Sequence, residues 1–227
     1  MSYYQKNFFG CLLALVIALI FIHYSGLDIK FQSLFYNPGI KQWFIDKNNL
    51  TLKFIFYRLP KYLIIAYGIT LIAILVKLKI KKQNIELQKK LLFLISALIF
   101  IPLIVASLKH YSHVHCPHNI YEFGGGVMHV SPLDIFKEGV FFANTGKCFP
   151  AGHASGGFAL ISLYFVLAHS RLKFLALFGG LSLGSIMGLY QISKGVHYLS
   201  DTIATAAISY LVCITLYKFI IGKDSAN

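Results

Sequence analysis

A chain of 227 residues that is 57% hydrophobic and only 13% charged does not have the surface of a soluble domain, whose charged share is about 25%. Its mean hydropathy of +0.67 and its apolar runs of bilayer-crossing length define a polytopic membrane protein, which excludes a soluble nucleotide-binding enzyme and a disordered tail. The net charge of +13, from 21 Lys+Arg against 8 Asp+Glu, points to anionic membrane lipids or an anionic lipid substrate and away from nucleic acid, because the lysines cluster between apolar runs.

The first run lies between Lys6 and Asp28 and predicts a span at 7–27. It reads as a permanent helix, since His23-Tyr24-Ser25 makes a poor small-x-small cleavage site for a signal peptide. A polar, aromatic-rich connection follows (Phe31, Phe35, Tyr36, Trp43, Phe44) and predicts an amphipathic interfacial segment. The second span is expected at 60–77, with Lys61 and Lys77 snorkelling to the two interfaces. Spans at 91–108, 150–169, 173–191 and 201–221 complete an all-α, six-helix transmembrane bundle forming one domain over 1–227. Six crossings put both termini on one side, together with the second and fourth connections. Those two carry Lys77, Lys79, Lys81, Lys82, Lys89, Lys90, Arg171 and Lys173, so the positive-inside rule makes that face cytoplasmic.

The polar residues of the opposite face are concentrated at helix ends. His153 and His197 are 44 residues apart, the length of two spans of about 20 residues and a turn, so both return to one membrane surface. Pro150 stands where a helix start favours proline, and Gly152 lets an anion approach the free first-turn amides. His153 beside them can donate a proton to a leaving group. His197 and Asp201 stand at i and i+4, where a carboxylate fixes the imidazole tautomer and makes the other ring nitrogen a better nucleophile or base. Lys109 closes the third span on the same surface, and Lys194 stands three residues before His197; both are candidate phosphate clamps. Each feature alone has a bland reading as a helix start, an interfacial ion pair or a snorkelling anchor. Together they make an anion site.

These residues, in this order, resemble the type 2 phosphatidic acid phosphatase (PAP2) family of membrane phosphatases. The family's first motif, Lys, six residues, Arg-Pro, reads here Lys109 through Cys116-Pro117; Pro-Ser-Gly-His reads Pro150-Ala151-Gly152-His153; Ser-Arg, five residues, His, three residues, Asp reads Tyr190-Gln191 through His197 to Asp201. Cys116, Ala151 and Gln191 depart from the pattern, which removes two guanidiniums and a hydroxyl that would hold phosphate. Lys194 can replace one charge but not a bidentate fork. The stretch Leu27 to Asn37 and the ending His197 to Asp201 are also similar to the bacterial branch that removes phosphate from lipid A.

The resemblance implies a PAP2/haloperoxidase-like bundle in a bacterial inner membrane with its site on the periplasmic face. It implies His197 as nucleophile forming a phosphohistidine, Asp201 as its orienting carboxylate, and His153 as the acid that protonates the leaving lipid hydroxyl. Lys109, Gly152, Lys194 and Gln191 would hold the phosphate. The substrate would be a phosphomonoester or diphosphate of a bacterial lipid (lipid A, undecaprenyl diphosphate or a glycerophospholipid phosphate), with no cofactor and no metal. Three rival readings stay open, one of them an inactive scaffold or lipid-binding protein. Phosphate could pass to another lipid instead of water, or the His-rich segment 110–118 (His110, His113, His115, Cys116, His118) could bind a metal. Cys116 and Cys148, in the one long polar connection, either pair as a disulfide or remain free thiols.

Overall fold

The structure, a computed structural model, describes residues 3–134, 146–168 and 170–222. Seven helices dominate: α1 (Tyr3–Ser25), α2 (Leu27–Ser33), α3 (Leu50–Ile80), α4 (Ile85–Tyr111), α5 (Gly152–Val166), α6 (Lys173–Ile192) and α7 (Leu199–Ile220). Five of them, α1, α3, α4, α6 and α7, are long and apolar enough to cross a membrane. Their outward faces carry Leu13, Phe21, Ile69, Leu103, Leu175 and Phe178, all exposed. That surface suits hydrocarbon and would be a liability in water.

Local chemistry sets the boundaries. Gly26, at φ 64°, breaks the chain between α1 and the short α2, a left-handed turn that glycine makes without strain. Asn49 caps α3 by accepting the Leu52 N–H at 3.0 Å, and Asn84 caps α4 by accepting the Leu87 N–H at 2.9 Å. The predicted interfacial segment is α2 followed by a small hairpin, in which Tyr36 pairs with Trp43 and Asn37 with Gln42. The second span starts ten residues earlier than its hydropathy predicts, because α3 reaches back through a π-helical stretch, Phe54–Arg58, to Leu50. That extension brings Tyr57 to the polar end of the bundle, beside Lys61.

The fourth expected span, 150–169, is shorter in the structure; its last residue lies outside the described residues. Helix α5 covers Gly152–Val166, about 22 Å at 1.5 Å per residue, and a turn at Leu160-Ile161 interrupts it. It survives this because it is enclosed by α4, α6 and α7, so its loosened backbone does not face lipid. The enclosure depends on glycine. A Cβ on Gly157 would lie 2.6 Å from the Gly184 nitrogen, and one on Gly184 would lie 2.3 Å from the Phe158 ring. Helices α5 and α6 thus touch backbone to backbone, the small-residue packing that substitutes for a hydrophobic driving force within a bilayer. Around this crossing Phe93, Ala97, Ile101, Phe158, Ile161 and Phe165 form the core.

Candidate active site

The C-terminal ends of α4 and α6 and the N-terminal ends of α3, α5 and α7 meet at one end of the bundle. The turn between α6 and α7 is held carbonyl by carbonyl. Gln32 donates its side-chain amide to the Ile192 carbonyl at 2.7 Å, Ile45 N–H donates to Ser193 at 3.1 Å, and His118 directs its backbone N–H and its Nδ1 to the Gly195 carbonyl at 3.0 and 2.8 Å. Gly195 itself has φ 73°, and a Cβ there would stand 2.3 Å from the Trp43 indole. Only glycine fits, in conformation and in space. The restrained turn then delivers His197 and Tyr198.

His197 is fully buried, and its Nδ1 donates to Asp201 Oδ2 at 2.9 Å. The same oxygen accepts the Tyr198 N–H at 3.0 Å, closing the first turn of α7. One carboxylate therefore caps the helix and fixes the imidazole tautomer, leaving Nε2 with the lone pair. That Nε2 has no hydrogen-bond partner among the described residues. Burial pushes the His197 imidazole well below its ordinary range, with the Lys109 charge adding to the effect, so it is neutral at neutral pH. Further support comes from Asp28, which is buried and accepts the Ser200 N–H at 2.9 Å.

Helix α5 is tied to α7 where their N-termini meet. Ala151 N–H donates to the Asp201 carbonyl at 3.2 Å, and the Thr205 hydroxyl donates to the same carbonyl at 2.8 Å. This brings the His153 ring to 5.8 Å from the His197 ring, centroid to centroid, with the Tyr57 ring 4.9 Å from His153 on another side. Lys109 runs alongside Gly152, its Cδ 3.9 Å from where a Cβ would be. Beside this group opens a cavity of about 430 Å³ whose walls pass from polar (Tyr57, Lys61, Lys109, His153, Ser155) to apolar (Ile64, Ile65, Leu98, Pro102, Met187).

His153, His197, Asp201, Lys109 and Gly152 are thus brought together. Lys194 takes a different place from that expected. Its ammonium lies over the Tyr190 ring at 4.6 Å and its side chain lines a neighbouring cavity, although its charge still acts on both imidazoles. Gln191 is buried and lines neither cavity; its carbonyl accepts the Val196 N–H at 2.9 Å, so its backbone shapes the turn. Tyr57 and Lys61 belong to the site and were not expected there. Lys61 stands at the start of a span, at the end of the bundle that holds the histidines, which is the available signal, yet the same position equally describes an interfacial anchor.

The His-rich segment does not form a cation cage among the described residues. The one cluster with metal-ligand spacing is Cys148, His197 and Asp201, with donor atoms within 4.8 Å of one another. Cys148 is joined to Cys116 as a disulfide, with Cα atoms 5.1 Å apart, and a disulfide sulfur is a poor substitute for a thiolate ligand. His197 Nδ1 is already committed to Asp201. The donor set does not fit a metal.

The fold and site together define a polytopic membrane protein with a buried, carboxylate-oriented histidine facing a second histidine and lysines. The sequence profile of the PAP2 superfamily matches residues 90–224, and the chain belongs to that superfamily as a phosphatase of PAP2 type. The lipid A 4'-phosphatase of Francisella tularensis subsp. novicida (strain U112) is 26% identical over 221 residues, covering 95% of this chain and 97% of that protein. A crystal structure of a transmembrane PAP2-type phosphatidylglycerolphosphate phosphatase from Bacillus subtilis has a TM-score of 0.61 at 14% identity, covering 98% of this chain and all of that one, a likeness of fold.

Proposed function

We propose that the protein removes phosphate from a membrane lipid through a phosphohistidine at His197, at the periplasmic face of a bacterial inner membrane. The observation that carries this reading is the buried His197–Asp201 pair at 2.9 Å, set 5.8 Å from the His153 ring at the polar end of an otherwise apolar cavity. His197 Nε2 attacks phosphorus, a P–N bond forms, and the bond from phosphorus to the lipid oxygen breaks. His153, protonated once the phosphate dianion is bound beside it, gives its proton to that departing oxygen. In the second step water attacks phosphorus while His153 takes a proton from it, the P–N bond breaks, and inorganic phosphate leaves. Lys109 and the amides around Gly152 hold the transferring oxygens, and Lys61 adds positive charge at the mouth of the cavity. The apolar walls take the start of the lipid chains.

Lipid A, undecaprenyl diphosphate and glycerophospholipid phosphates are the substrates to be compared, and the likeness to a lipid A 4'-phosphatase over nearly the whole chain favours the first. Phosphate release from this panel is expected for the wild-type protein and is expected to be lost in His197→Ala and His153→Ala. Turnover retained in both variants would overturn the mechanism. Trapping of radiolabelled phosphate on His197, acid-labile and alkali-stable, is the direct test of the intermediate.

A further inference from the structure

A second cavity borders the catalytic turn at Lys194 and Val196, and its chemistry is different. Its volume is about 390 Å³, and Lys41, Trp43, Asp46, Lys47, His118 and Lys194 stand in its wall. Three lysines outweigh the one carboxylate, and that carboxylate is partly engaged, Asp46 Oδ1 accepting the Asn48 N–H at 2.8 Å. Lys53 adds to the field, since its charge together with burial holds the Lys194 ammonium below its ordinary range. Clustered cations of this kind bear a cost that an anion relieves. Lys194 lines this cavity while its charge acts on both His153 and His197, so the cavity is within electrostatic reach of the reacting phosphate. The wall is also anchored to the catalytic turn: Trp43 packs on Gly195, and His118 donates to the Gly195 carbonyl.

We infer that this basic cavity binds a second anionic group carried by the substrate's own headgroup, such as a second phosphate on a sugar, while the scissile phosphate sits at His197 and the chains enter the apolar cavity. The inference rests on the phosphatase reading and deepens it. A lipid with one phosphate directly on its chain-bearing backbone leaves the basic cavity unused. A headgroup carrying two separate anionic groups uses both.

The test compares a bisphosphorylated glycolipid with its monophosphorylated counterpart in detergent micelles, using wild type and a Lys41→Gln, Lys47→Gln double variant. Both lysines are exposed, so folding is expected to be retained and is checked by size-exclusion chromatography. In the wild type the bisphosphorylated lipid should have the lower KM. In the double variant that advantage should shrink about tenfold, the size expected when charge-assisted contacts are removed, with kcat little changed. Equal losses on both lipids, or an unchanged ratio, would overturn the inference. So would a fall in the KM of the monophosphorylated lipid on adding phosphatidylglycerol to the micelles, because the cavity would then serve a neighbouring anionic lipid. Binding to the two lipids is also measured in the His197→Ala background, which needs no turnover. A bisphosphate preference that depends on Lys41 and Lys47 there supports the inference even if the phosphohistidine mechanism fails, and its absence overturns it.

Discussion

Asp201 Oδ2 holds two hydrogens at once, those of His197 Nδ1 and the Tyr198 amide. An Asp201→Asn variant keeps the size of the side chain but loses the charge and lets the imidazole take the other tautomer. Phosphate release is expected to fall by on the order of 10³ to 10⁴, as when an orienting carboxylate is neutralised in other histidine-dependent sites, with the protein still folded by circular dichroism. The pH dependence follows from the same residue. His197 acts as a neutral nucleophile, and burial and then Lys109 lower its affinity for a proton, so the acid limb of kcat/KM that reports its protonation should lie below the ordinary imidazole value of about 6.5. Removing the Lys109 charge raises that affinity; Lys109→Gln should therefore move the limb toward higher pH, besides weakening phosphate binding. A limb that shifts to lower pH would contradict the assignment. His153, His197, Asp201 and Lys109 were legible in the sequence because helix-length spacing alone returns them to one surface. Tyr57 was not, because Lys53, Arg58 and Lys61 interrupt the apolar run and hide the first turns of its helix, and Lys61, though placed in the second span, read only as an interfacial anchor.

At the scale of elements, the close crossing of α5 and α6 seats the helix whose first turn carries His153. Gly184→Ala would place a methyl carbon 2.3 Å from a carbon of the Phe158 ring, and overpacking of this kind costs about 1 to 3 kcal/mol. A lowered thermal midpoint in detergent and reduced turnover are expected. Gly10→Ala is the control, since nothing lies within 4 Å of a Cβ there, and it should leave both unchanged. Hydropathy located the six apolar helices of the bundle but misjudged the length of three, among them α4, expected at 91–108 and observed at Ile85–Tyr111. It began α3 late, as charged residues pull down a window average even where the helix continues. It ran α5 long, because apolar composition does not reveal that a helix is enclosed by neighbours and interrupted at Leu160-Ile161.

Across the whole molecule, the disulfide between Cys116 and Cys148 ties the end of the first motif segment to the residue two before Pro150, closing a separation of 32 residues. Loop-closure entropy makes such a bridge worth about 3 to 4 kcal/mol in the chain-entropy model. A Cys116→Ser, Cys148→Ser variant, or wild type treated with reductant, should melt at lower temperature; equal melting with and without reductant, with both thiols alkylated, would mean the bridge is not formed in the purified protein. Five of the expected spans, those of α1, α3, α4, α6 and α7, were legible from apolar run lengths. The two-cavity arrangement was not, since it arises from the connection between α1 and α3 folding over the catalytic turn, a long-range contact with no periodic signal. The apolar cavity has one more consequence. Ile65, in its wall, is 47% exposed, and for the membrane-lipid substrate proposed above this opening predicts entry sideways, by diffusion within the leaflet. Velocity should then follow the mole fraction of substrate in a mixed micelle or vesicle, not its bulk molarity. Diluting the surface with inert lipid at constant total substrate should slow the enzyme, whereas diluting the whole suspension should change the rate per enzyme far less.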